Sequence, residues 1–104
     1  MPTTRRREVL QLRSDGDVVR ARQAVRSMCV ELGFSLVDLT KMVTAASELA
    51  RNTLIYGGGG TITIESLEDG SRRGVRMTFD YALRPGPAQT ANAQRILAMM
   101  GIGS

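Results

Sequence analysis

Apolar residues recur along this chain at two spacings, and the switch between them divides it into elements. Residues 8–12 (EVLQL) read as a short strand whose apolar content is Val9, Leu10 and Leu12. Next, Val18, Ala21, Val25, Met28, Cys29 and Leu32 return every three or four positions, the spacing of a helix that buries one side. Ser14 with Asp17 three residues on resembles a capping box, and Gly33 is a natural stop, so a helix is predicted over about 15–32.

Ser35 and Asp38 repeat the starting device, with Phe34 placed to staple onto Leu39. Leu39, Met42, Val43, Ala46, Leu49, Ala50 and Thr53 form the apolar stripe of a second helix, predicted over about 35–56 and closed by the glycine run 57–60. The period then becomes two. Residues 61–67 (TITIESL) predict a strand with Ile62 and Ile64 inward, and Val75, Met77 and Phe79 alternate with Arg76, Thr78 and Asp80 in a partner strand. Residues 68–74 read as a long hairpin loop between them. After an irregular stretch at Arg84-Pro85-Gly86-Pro87, residues 88–100 predict a helix with Ala93, Ile96, Leu97 and Met100 on one side, followed by a frayed end at 101–104. The expected fold is a single-domain α+β two-layer sandwich, 1–104, with helices packed on a sheet.

Composition narrows the chemistry. With no histidine and one cysteine, Cys29, the chain cannot build an imidazole acid–base system or the usual thiolate and imidazole zinc site. Catalysis would fall to carboxylates, Asn, Arg, hydroxyls or the single lysine, Lys41. Cys29 lies on an apolar stripe and is expected to be a small buried hydrophobe. A lone cysteine and a basic N-terminus with no apolar run behind it point to the cytoplasm, and no run is long enough for a membrane helix. The net charge of +4 comes with short arginine clusters at 5–7 and 72–73 and without tryptophan, which weighs against nucleic acid as the partner.

Ser47-Glu48-Leu49-Ala50-Arg51-Asn52 stands out on the second helix. Glu48 and Asn52 are four apart and share a face off the apolar stripe. A carboxylate and a carboxamide are hard oxygen donors, suited to Mg²⁺ and to accepting a proton, although a solvated polar pair has the same spacing. Helix, helix and hairpin in this order, with that hexapeptide followed by Tyr56-Gly57-Gly58-Gly59-Gly60, resemble the N box of the GHKL ATPases. Within them the chain is most similar to the small anti-sigma-factor serine/threonine kinases of the RsbT type, which act in partner-switching and stressosome modules. Val19-Arg20-Ala21-Arg22-Gln23 and Glu31-Leu32-Gly33-Phe34 look like that subfamily too, and the resemblance spans about residues 8–80.

The resemblance implies an ATP- and Mg²⁺-dependent kinase that phosphorylates a STAS-type antagonist, with a phosphatase or sigma-factor regulator as a further partner. It implies that Asn52 binds the Mg²⁺ bridging the phosphates, that Glu48 is the general base on the antagonist's hydroxyl, and that Asp80 accepts from the adenine amino group. Arg51 could touch phosphate or partner, and an ion pair on the helix surface accounts for it at least as well. The pattern breaks after Asp80. The family continues Asp-x-Gly-x-Gly, whereas this chain reads Asp80-Tyr81-Ala82-Leu83-Arg84, and the second glycine box is also absent. Residues 81–104 are therefore read as a divergent tail or a changed reading frame, and the mixed sheet of the family as incomplete. An incomplete sheet would expose an edge, so the chain is expected to dimerise or to exchange its C-terminal helix. Two alternatives remain open: an interaction module that has lost ATP, and a small basic nucleic-acid-binding domain.

Overall fold

The computed structural model describes residues 3–82, and the backbone alone of 93–101. The element order is β1 (Thr3–Leu12), α1 (Asp15–Glu31), α2 (Leu36–Gly57), β2 (Gly60–Asp69), β3 (Arg72–Tyr81) and β4 (Ala93–Gly101). The four strands form one sheet in the order β1-β2-β3-β4. Both helices pack on one face of it, so the α+β two-layer expectation holds among the described residues.

Apolar periodicity explains the two layers. Along β2 and β3, Ile62, Ile64, Val75, Met77 and Phe79 are fully buried, and their register sets Ile62 opposite Phe79 and Ile64 opposite Met77. The facing helices contribute Ala21, Val25, Met28 and Cys29 from α1, and Leu39, Met42, Ala46 and Ala50 from α2. Small side chains at Ala46 and Ala50 bring α2 close to the sheet, and larger ones from β3 fill the space between layers. Burial pushes the Cys29 thiol up to about 11, as expected for a packing residue.

The two helices begin differently. Ser35 caps α2 with its side chain, its Oγ accepting from Asp38 N at 3.2 Å and donating to the Asp38 carboxylate at 2.8 Å. Ser14 is the N-cap of α1, but its side chain makes no capping hydrogen bond. There Asp17 holds the entry, its Oδ2 accepting from Arg13 N at 2.8 Å while the Arg20 guanidinium pairs with its other oxygen. Those donors hold the Asp17 carboxyl below its ordinary range, with Arg20 the larger cause.

Three expectations are corrected. β1 starts at Thr3, not at residue 8, because Thr3, Thr4, Arg6 and Arg7 extend the ladder past a bulge at Arg5, along an edge where the strand is largely solvated. The long hairpin loop is only two residues, Gly70 and Ser71. Gly70 has φ 64, the left-handed value required at the first central position of a tight hairpin turn, and Asp69 pairs directly with Arg72.

The third correction is the largest. Where a helix was expected over 88–100, residues Ala93–Gly101 form β4, antiparallel to β3 from Asp80↔Ala93 to Arg72↔Gly101. All three strand pairings are antiparallel, so among the described residues the sheet is not mixed. The outer edge of β3 is paired, and the C-terminal helix that was to be exchanged between copies is a strand here. The frayed end expected beyond Gly101 lies outside the described residues.

Candidate functional site

The glycine run that ends α2 shapes one end of the molecule. Gly58 takes φ 64, and the Thr53 carbonyl accepts from Gly59 N at 3.0 Å, which closes the helix. A Cβ on Gly59 would come 2.9 Å from the Leu12 carbonyl oxygen, and one on Gly60 would collide with that of Asp80. The run therefore ends a helix and threads β2 between β1 and β3. No phosphate-cradling role is needed to explain it. Ala82 N donates to Gly59 O at 2.8 Å, tying the end of β3 to the same corner.

Upstream of that corner, Ala46, Ala50 and Thr53 fix the rotation of α2 by pointing into the core, and Thr53 Oγ1 donates to Leu49 O at 2.8 Å. Successive helix residues are about 100° apart. With the core side fixed, Glu48 and Asn52 fall about 40° apart on the flank away from Val43, Glu48 exposed and Asn52 half-buried. Among the described residues neither makes a side-chain hydrogen bond or an ion pair. They present a carboxylate and a carboxamide to solvent side by side, as their spacing predicts.

Arg51 lies one turn beyond Glu48, about 60° from it and about 100° from Asn52, and turns toward α1, where it borders a depression with Asp15, Val18, Val19 and Arg22. The surface ion pair expected as its alternative role is absent among the described residues.

Asp80 is exposed on the outer face of the sheet, as its alternation with the buried Phe79 requires. It borders one cavity of about 320 Å³ with Arg7, Thr63, Glu65, Arg76 and Thr78, and another of about 210 Å³ with Gln11, Arg13, Thr61 and Tyr81. Helices α1 and α2 cover the opposite face. The structure keeps Glu48 and Asn52 on one flank, sets Arg51 beside Glu48 but turned toward α1, and does not gather Asp80 with them.

The outer-face cavity contains a feature that the sequence reading missed. Arg76 Nε donates to Glu65 Oε1 at 3.0 Å between directly opposed positions of β2 and β3. That bond, together with the charge of Arg76 and Arg7, holds the Glu65 carboxyl below its ordinary range. A charged residue in each of two alternating strands was visible in sequence. The register that makes them partners depends on the two-residue turn, which was not.

Among the described residues, no cluster of three or more Cys, Asp or Glu side chains is arranged to hold a metal ion, and no helix is long and apolar enough to cross a membrane. No family model matches the chain. The chain is 41% identical over 68 residues to serine/threonine-protein kinase RsbT of Bacillus subtilis (strain 168), across 65% of its own length and 51% of RsbT. It thus spans about half the length of the curated relative it matches.

Proposed function

We propose that this chain is a partner-switching regulator of the anti-sigma serine/threonine kinase type, with the Glu48–Asn52 face of α2 as its functional surface. The observation that carries the reading is that face itself. Two hard-oxygen side chains stand side by side and unpaired among the described residues, in a chain 41% identical over 68 residues to a kinase of this kind.

In the kinase form of this reading, Asn52 would offer its carboxamide oxygen to the metal of Mg-ATP. Bound nucleotide supplies the phosphoryl group. Glu48 would take the proton from the incoming hydroxyl of a STAS-type antagonist, the role that a carboxylate without histidine can fill. Exposure of Glu48 suits a base that must meet a protein substrate. The donors thus fit the metal end of the nucleotide. The adenine end does not fit, because Asp80 faces outward from the sheet while α2 packs on its inner face. No adenine contact is assigned to Asp80, and no phosphate contact to Arg51.

A second reading, an interaction module without nucleotide, is favoured by Tyr81. Its ring packs on Gly57 at the end of α2, and the next residue, Ala82 in place of the pattern's first glycine, donates its N–H to Gly59 O at 2.8 Å, so this backbone is engaged within the fold. Titration of the chain with Mg-ATP in a calorimeter separates the two. The kinase form requires binding below about millimolar nucleotide and transfer to an antagonist serine or threonine, and absence of binding leaves the module.

A further inference from the structure

Helices α1 and α2 meet along a shallow groove on the side of the molecule away from the sheet. It consists of two adjoining depressions of about 150 and 290 Å³, which share Val19 and Arg22. Val19 and Val43 give it an apolar floor, Val19 remaining 46% exposed although it sits in a helix. Arg22 and Arg26 border it from α1, one turn apart, and Arg51 borders it from α2. Among the described residues, Asp15 is the one carboxylate bordering either depression, at the Arg51 end.

These three arginines differ from several others in the chain. Arg5, Arg6, Arg20 and Arg76 are each paired with a carboxylate. Arg22, Arg26 and Arg51 have no such partner among the described residues. Unpaired guanidinium groups around an exposed apolar strip leave two needs on one surface, a counter-charge and cover from water.

We propose that the α1–α2 groove, floored by Val19 and Val43 and rimmed by Arg22, Arg26 and Arg51, docks an acidic amphipathic segment of a protein partner. Leucine-like side chains of the segment would cover the valines while its carboxylates meet the arginines. The chain itself is a poor source of such a segment. Residues 83–104 contain no Asp or Glu, and a second copy would bring another net charge of +4. Nucleic acid fits less well: its phosphates could meet the arginines, but an apolar floor without aromatic rings gives its bases nothing to stack on and leaves the valines uncovered. Arg51 lies one turn beyond Glu48 on α2, so a segment seated here would arrive beside the Glu48 face. The proposal names the chemistry of the partner in the reading above and rests on it only for the existence of a protein partner. It does not require nucleotide.

The test uses the full chain without nucleotide and a labelled peptide of about 15 residues, with leucines at helical spacing and glutamates between them. Binding is read by anisotropy, and its place by methyl resonances. The expected result is saturable binding with shifts at Val19 and Val43, weakened about tenfold or more by Arg22→Glu with Arg51→Glu, and unchanged by Arg72→Glu on the hairpin. Circular dichroism verifies that each variant is folded, and single Arg22→Glu and Arg26→Glu variants replace the double if it is not. The same peptide with glutamine for glutamate should bind markedly less. Failure of the acidic peptide to bind, binding that leaves Val19 and Val43 unmoved, or tighter binding of a DNA duplex lost with the same reversals overturns the proposal. Because no nucleotide is present, a chain that fails to bind Mg-ATP can still pass this test, and one that binds it can still fail.

Discussion

The ring of Tyr81 lies directly against Gly57, so closely that a Cβ on the glycine would come within 2.6 Å of it. The last residue of α2 and the last of β3 are therefore packed as one corner. Gly57→Ala should destabilise the fold by about 1–3 kcal/mol, because the ring must move or the helix end must unwind. In a Tyr81→Ala background the same change should cost markedly less. A double-mutant cycle in chemical denaturant reads the difference, and equal costs in the two backgrounds would show that the contact does not matter.

Asn52→Ala should weaken Mg-ATP binding, because its oxygen is the metal donor in the kinase form of the proposed function. Glu48→Ala should leave nucleotide affinity nearly unchanged and reduce transfer to the antagonist by roughly 10²–10⁴-fold, the contribution of a general base. Calorimetry and a single-turnover transfer assay check the two halves separately. A polar pair without function, Glu48 exposed and Asn52 half-buried, would instead give a small stability change, under about 0.5 kcal/mol at the exposed position, and no effect on nucleotide or transfer.

The helix starts predict an asymmetry between two serines. Ser35→Ala should cost about 1 kcal/mol, since its hydroxyl caps α2 from both directions. Ser14→Ala should cost clearly less, because Ser14 caps α1 without a side-chain hydrogen bond. Thermal melts of the two variants, compared under one buffer, test the order.

Glu65 has its carboxyl held below the ordinary range by Arg76, so its charged form is favoured in the folded state. The stability it contributes is present above the ordinary glutamate value of about 4.3 and is lost as pH falls through the lower folded value. Asp17 behaves in the same sense. Glu65→Gln should therefore lower stability by a nearly constant amount above about pH 6, and the gap to the unmutated chain should shrink as pH falls through the folded Glu65 value, which flattens the acid slope. Denaturation midpoints measured from neutral pH downward give the result. An unchanged acid slope would remove Glu65 from the account.

Much of the fold could be read from the sequence because one physical signal dominates it. A helix that buries one stripe and a strand that buries one face leave different periods, so α1, α2, β2 and β3 were visible from Val18, Ala46, Ile62 and Phe79 and their repeats. The signal fails where burial is not periodic. The first half of β1 is arginine-rich and solvated, and it is a strand because its backbone pairs with β2. Residues 93–100 contain Ala93, Ile96, Leu97 and Met100 at helical spacing, yet pairing with the open edge of β3 overrides that local preference. The site follows the same signal. Glu48 and Asn52 were legible because one helix holds both. Alternation with Phe79 likewise places Asp80 on the non-core side of its strand, as the structure has it; only the resemblance joined it to the pair on α2.

The position of β1 in the sheet constrains the order of assembly. Its ladder runs from Thr3↔Glu68 to Leu12↔Gly60, across both helices, whereas β2 and β3 are joined by a two-residue turn. Of the described strands β1 comes earliest in the chain and is left waiting: none of its sheet hydrogen bonds to β2 can close until the whole of α1 and α2 has been made. The hairpin can zip locally and quickly, and β1 must then be captured across a long loop, at an entropic cost the hairpin does not incur. During that interval its arginine-rich stretch serves a second purpose, since like charges keep one waiting strand from pairing with another on a neighbouring nascent chain.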